Sequence, residues 1–299
     1  MKRVILDTDV GIDCDDMVAL AALLNLEKRK ECILEAITLS TTRAGAASAV
    51  RSVCAYYGAK CPQIGKWRGE PLKADGKNVY AKALMERYGF DDSAEDAVLL
   101  LRKTLALSKE KCTLAVIGPQ CNLAALLRSK PDEISPLSGI GLVREKIERI
   151  YIMGGNFDGS LPCAEFNIEQ DISGAQLVGA DCPVECVYLP FEGAHDILTG
   201  KGTLQQENNP VGESVRLLFQ VEFPDTAEKD MARSSWDPVT ALLAVRGLKA
   251  YGCVVKKGRI EVDSAGRTRF LAGGGNAVLI GGLQKEKIQN DIDGLCVKG

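Results

Sequence analysis

The sequence predicts an α/β fold, an open, mostly parallel sheet flanked by helices. Short apolar runs alternate with helix-periodic segments through the first two thirds of the chain. The first run opens residues 4–20, VILDTDVGIDCDDMVAL, and reads as a buried strand leading into a helix that begins near Asp15. Five carboxylates (Asp7, Asp9, Asp13, Asp15 and Asp16) crowd the turn between them. In parallel sheets ligands bind beyond the carboxyl ends of strands, which is where this turn must lie.

The remaining elements follow in order. Residues 32–40 (CILEAITLS) form a second strand, 41–45 its exit turn, and 46–57 a helix ended by Gly58. A stretch punctuated by Pro and Gly runs through Leu72. A polar loop then continues to about Asp92, with a helical piece at 82–87. Beside a strand-top site, such an insertion is either a lid or a surface excursion. Residues 93–108 have a capping start and helical periodicity. A strand at 113–117 stops at Gly118-Pro119, and 122–127 resumes helix. Residues 131–145 look irregular, 147–153 form a strand, 162–171 a loop, 173–177 a helix and 184–189 a strand. Helices are expected at 211–219 and 238–245, two or three strands at 252–262, 267–271 and 277–280, and a last helix at 285–292. No linker or repeat interrupts residues 1–299, which predicts one domain.

A net charge of −3 gives no electrostatic case for nucleic acid, and no apolar run approaches membrane-spanning length. Met1-Lys2-Arg3 leads directly into a strand with no signal peptide, so a cytoplasmic location is expected. The eleven cysteines are odd in number and irregular in spacing, which fits buried thiols in a reducing compartment.

Asp13 or Asp15 could cap the first helix and Asp16 could complement its dipole. Those roles suit one or two acids, not five. The rest must hold protons or share a cation. No His lies nearby and Cys14 is the only soft ligand, so oxygen coordination suits calcium or magnesium rather than zinc. The spacing is not that of an EF-hand loop. Three later turns can meet the cluster. In Ile117-Gly118-Pro119 the sharp turn frees the Ile117 carbonyl to bind a cation. Gly154-Gly155 lets backbone approach a ligand, and Glu165 with Asn167 suits sugar hydroxyls. Asp237, before Pro238, suits either a helix cap or the site.

Together, DTD-x-G with a following Asp-Asp, then IGPQCN, MGGN…AEFN and WDP resemble in order and spacing the signature segments of the inosine-uridine-preferring nucleoside hydrolase family. The resemblance covers residues 3–245 and, more loosely, the tail. It implies an open α/β fold that cleaves the N-glycosidic bond of ribonucleosides with a tightly bound calcium (Ca2+). A role in purine and pyrimidine salvage and a homo-oligomer, dimer or tetramer, are implied as well. Carried over, Asp9, Asp16, Asp237 and the Ile117 carbonyl would bind calcium, and Asp9 would take a proton from the attacking water. Asp15 would hold the ribose hydroxyls, with Asn167 and Glu165 completing the sugar pocket.

This chain departs from that pattern in four places. Asp13 and Cys14 are two residues more than the commonest form has between the first Gly and the Asp-Asp pair. Gly159 stands where an Asn is usual, with Asn156 or Ser160 as replacement. No Asn occurs in residues 42–46. Trp236 stands where many members carry a His that protonates the leaving base, and it is assigned to stacking on that base. The only histidine, His195, is read as structural.

Two other functions compete. A haloacid-dehalogenase-like phosphatase would use Asp7 as nucleophile and Asp9 as acid/base, but leaves Asp13, Asp15 and Asp16 without a task. A calcium-containing sugar- or nucleoside-binding relative would keep the metal without turnover.

Overall fold

The computed structural model describes residues 1–297. The chain opens with β1 (Lys2–Thr8), α1 (Asp15–Lys28), β2 (Cys32–Leu39) and α2 (Ala46–Tyr56). Next come β3 (Gln63–Lys66), α3 (Ala81–Tyr88), β4 (Glu95–Asp96), α4 (Ala97–Leu107), β5 (Cys112–Val116) and α5 (Cys121–Arg128). Then follow α6 (Gly139–Lys146), β6 (Ile147–Met153), α7 (Phe166–Gln170), α8 (Ile172–Asp181) and β7 (Cys186–Leu189). A short-element region holds α9 (Phe191–Ala194), β8 (Leu198–Thr199), α10 (Lys201–Leu204), α11 (Pro210–Glu222) and β9 (Arg233–Ser234). The chain continues through α12 (Trp236–Arg246), β10 (Val254–Val262), β11 (Thr268–Ala272), β12 (Ala277–Gly281) and α13 (Lys285–Cys296).

Ten strands form one sheet in the order β11-β10-β12-β7-β6-β5-β1-β2-β3-β4. Only β10 runs against its neighbours; every other pairing is parallel. The expected open, mostly parallel sheet is therefore present. From β1 the chain winds outward through β2, β3 and β4, then returns to place β5 on β1's other side. That reversal opens a crevice above the carboxyl ends of β1 and β5.

Strand periodicity divides the core between the two faces. Val4 and Leu6, Ala115, Tyr151 and Met153 face one cluster, shared with Met17, Leu20, Val50, Leu242 and Ile292. Ile5, Leu114, Val116, Ile150 and Ile152 face the other, shared with Leu101, Leu123, Leu142 and Val178. Helix α1 is buried almost all round, from Asp15 through Leu24, because α2, α12 and α13 enclose it against the sheet. A helix apolar on every side is the expected result of that position. No described helix is long and apolar enough to cross a membrane.

Three segments differ from the sequence expectation. Residues 131–145 were expected to be irregular, yet they run into α6, where Ser138 caps the helix by accepting from Gly141 N and Leu142 and Val143 are buried. Strand β3 lies in the Pro- and Gly-punctuated stretch and has only Ile64 as a buried apolar side chain. The 162–171 loop contains α7, whose N-cap is Glu165.

Candidate active site

The β1–α1 turn separates its five acids. Asp7 points down into the sheet, where Thr38 Oγ1 at 2.5 Å and Asn122 Nδ2 at 2.8 Å donate to it. Burial raises its pKa to about 7. It lines no part of the cleft described below, so it cannot be the nucleophile the phosphatase reading requires. Asp13 turns outward and takes a two-pronged contact from Arg233. Neither Asp13 nor Asp15 caps α1; its N-cap is Cys14, with no side-chain cap.

Asp15 and Asp16 turn inward. The first turn of α12 brings Asp237 to meet them, and one carboxylate oxygen from each lies within 4.8 Å of the others, all buried. Asp237 is thus a site residue and not the helix cap, a position held by Ser235. Its backbone N–H donates to Asp15 at 3.2 Å. Thr8 Oγ1 and the Asp9 N–H both donate to Asp16. Burial, then the charge of neighbouring carboxylates (Asp13 for Asp15, Asp9 for Asp16, Asp15 for Asp237), raises the pKa of all three acids well above the ordinary carboxylate value.

Asp9 stands beside this trio. Its Oδ2 lies 3.7 Å from Arg43 Nη1, which also donates to its backbone carbonyl at 2.6 Å. Burial lifts the Asp9 pKa to about 6, with Arg43 as the main opposing charge. Across from it, Gly118 allows the close approach of β5's exit. A Cβ there would lie 2.9 Å from the Asp9 side chain and 2.5 Å from Ser40 Oγ. The neighbouring Ile117 carbonyl accepts from Asn167 Nδ2 at 3.2 Å and keeps a second lone pair. Glu165 accepts from the N–H groups of Gly155, Asn167 and Ile168. Burial raises its pKa against those hydrogen bonds.

A cleft of ≈ 350 Å³ joins these groups. Asp9, Asp15, Asp16, Ile117, Glu165, Asn167, Trp236 and Asp237 all line it. That volume is within the usual range for a small-molecule site, roughly 300–1,000 Å³. Asn156 does not line it; its amide is held by Asp158, Ser160 and Glu192. His195 is exposed and stacks behind Phe191, outside the cleft.

Sequence reasoning missed Arg43, Arg233, Phe191 and Phe166. Arg43 lies in the residues searched for an Asn. Arg233 had one available signal: the extra acid, Asp13, needs a counter-charge, and Arg233 is the basic residue just before WDP. The insertion after β3 lines no part of the cleft and is tied down beside the β1–α1 and β2–α2 turns. Arg43 donates to the carbonyls of Ala74 and Lys77, Asp75 is held by Thr41, Thr42 and Leu72, and Val79 N–H donates to Gly11.

Comparison with known proteins gives the same result over nearly the whole chain. Residues 4–288 match the profile of the inosine-uridine preferring nucleoside hydrolase family. A non-specific ribonucleoside hydrolase RihC from Salmonella schwarzengrund is 32% identical over 185 residues, covering 56% of this chain and 54% of that protein. A pyrimidine-specific ribonucleoside hydrolase RihA from Enterobacter sp. is 33% identical over 189 residues, covering 58% of this chain and 55% of that protein. The match spans about half the length of these curated relatives. In fold, an inosine-uridine preferring nucleoside hydrolase from Bacillus anthracis superposes with TM-score 0.76 at 20% identity, covering 100% of both chains. A purine-preferring ribonucleoside hydrolase from Gardnerella vaginalis gives 0.70 at 18% identity, covering 99% of each. With the sheet, the switch-point cleft and the family profile in agreement, the chain belongs to the inosine-uridine preferring nucleoside hydrolase family.

Proposed function

We propose that the cleft hydrolyses the N-glycosidic bond of ribonucleosides, releasing base and ribose, with calcium held among its carboxylates. The observation that carries this reading is the buried trio Asp15, Asp16 and Asp237 facing a nucleoside-sized cleft. Its donors are all oxygens, which suits a hard cation. Three buried acids this close need either protons or a positive partner.

Asp9, Asp16, Asp237 and the Ile117 carbonyl would hold the ion, and Asp15 would take the ribose hydroxyls. Calcium, when bound, supplies the charge that keeps these acids ionised together and makes a nearby water more acidic. Asp9 accepts the proton of that water as its oxygen bonds to C1′. The sugar passes through an oxocarbenium-like state, which the surrounding carboxylates stabilise. Glu165 and Asn167 define the sugar end, while Trp236, stacked on Phe191 with a centroid distance of 5.2 Å, defines the base end.

The test is a chromatographic screen of common ribonucleosides with and without chelator, beside metal analysis of the purified protein. Base release that stops with chelator, and about one equivalent of calcium, are expected. Full activity in metal-free protein contradicts the metal assignment. A site built to bond ribose hydroxyls rejects the analogue lacking one. Uridine should therefore exceed 2′-deoxyuridine in kcat/KM by roughly 10⁴-fold; equal values contradict the sugar assignment.

A further inference from the structure

Resting on that hydrolase reading, we propose that Arg233 stabilises the departing nucleobase as an anion. A base that can leave as an anion then gains more from the site than one that must be protonated to leave.

Beside the buried carboxylates Asp9, Asp15, Asp16 and Asp237, the cleft is lined by the apolar side chains of Ile12, Leu161, Phe166, Phe191 and Trp236, with Asp13, Glu165 and Glu169 as its other acids. Among the described lining residues Arg233 is the single cation. Asp13 takes Nε and Nη2 of its guanidinium, and no described residue accepts from Nη1. Both N–H groups of Nη1 are therefore left over on a guanidinium anchored through Nε and Nη2.

The guanidinium is also preorganised. Its Cζ lies 5.0 Å from the centroid of the Trp236 ring and 5.7 Å from that of Phe223. Strand β9 pairs Arg233 with Thr199 of β8, and Ser234 Oγ donates to the His195 carbonyl at 2.7 Å. Asp13, an acid in excess of the commonest family spacing, thus serves to orient Arg233. Burial works to lower the guanidinium's pKa, but the hydrogen bonds and charge of Asp13 outweigh it, so the group stays ionised.

This arrangement suits one of the two ways a base can leave. A protonated base would meet a guanidinium that offers only donors, at an indole that already has a cation beside it. An anionic base gains a charge-assisted hydrogen bond from Nη1. Neither Trp236 nor His195 can protonate the base, since indole is far too weak an acid and His195 lies outside the cleft. In the step itself the C1′–N bond breaks and its electron pair passes to the base nitrogen. The attacking water bonds to C1′ and gives its proton to Asp9. Nη1 holds the base anion through a hydrogen bond while the guanidinium keeps every proton, and the base takes a proton from solvent on release.

The experiment compares wild type and Arg233→Gln on uridine, inosine and 4-nitrophenyl riboside, whose phenolate leaves without assistance. Losing one preorganised donor costs about 10²-fold in kcat. That loss is expected on both nucleosides, with no more than about threefold on the nitrophenyl substrate, whose turnover also shows that the variant is folded. Equal losses on all three substrates would make Arg233 structural and overturn the proposal. So would a Cys163→Ala variant that reproduces the selective loss, because the Cys163 thiol, which also lines the cleft, would then be the acid. If wild type cleaves none of the three, the hydrolase reading falls and the proposal with it.

Discussion

Asp237 makes no side-chain hydrogen bond to any described residue, and its pKa is raised by burial and by Asp15 and Asp16. In metal-free protein at neutral pH it is a source of repulsion; in the proposed site it is a calcium ligand. Asp237→Asn separates these roles because the amide is nearly isosteric. Under chelation at pH 7.5 the variant should be more stable than wild type by about 1–2 kcal/mol, the scale set by one pKa unit of relieved interaction. It should also lose the rise in Tm on adding calcium, and base release should fall at least about a hundredfold. Thermal melts with and without calcium check this. A variant that is less stable under chelation contradicts the account.

At the scale of elements, the turn between β2 and α2 anchors the insertion after β3. Gly45 begins α2 with φ 84°, and a Cβ there would lie 2.4 Å from the Ala81 carbonyl oxygen. Gly45→Ala adds backbone strain of roughly 1–3 kcal/mol and displaces the start of α3. The urea midpoint should fall accordingly, and an unchanged midpoint would show that the insertion is not held there. This region also marks where sequence reading stopped. The central strands and the acid turn were legible because buried parallel strands are near-continuous apolar runs and clustered acids are chemically unusual. Strand β3 was not, since QIGK offers one apolar side chain, and its Lys66 is buried against Asp92 at 3.4 Å. Nor was α6, with two glycines in eight residues. Arg43 and Arg233 were overlooked because a lone arginine in sequence looks like surface, and only folding sets each against its acid.

Over the whole molecule the buried acids link pH to stability. The Asp9 carboxyl moves from an ordinary 3.8 to about 6 in the folded, metal-free chain, and Asp15, Asp16 and Asp237 move in the same direction. Between those values the folded state binds more protons than the unfolded one, so stability falls as pH rises. The contribution is complete below about pH 4 and lost as pH passes 6. Calcium replaces the protons, so the gain in Tm on adding it should be small at pH 4.5 and large at pH 7.5. At a hundredfold excess over Kd the stabilisation amounts to about 2.7 kcal/mol. Calcium titrations followed by thermal melts at both pH values measure this, and an equal gain at both contradicts it.

The proposed ligands come from the β1–α1 turn, the end of β5 and the start of α12, so no contiguous segment can assemble the set. Contacts this distant in sequence close late on the folding pathway, after the long loops between them have been ordered. Calcium should then be absent from the rate-limiting transition state. Stopped-flow refolding would proceed at one rate with or without it, while unfolding would slow by about a hundredfold at that same excess. Refolding accelerated by calcium would place the site in the nucleus instead. In the expected case the ion acts as a kinetic lock, setting how long the native state lasts and not how quickly it is reached.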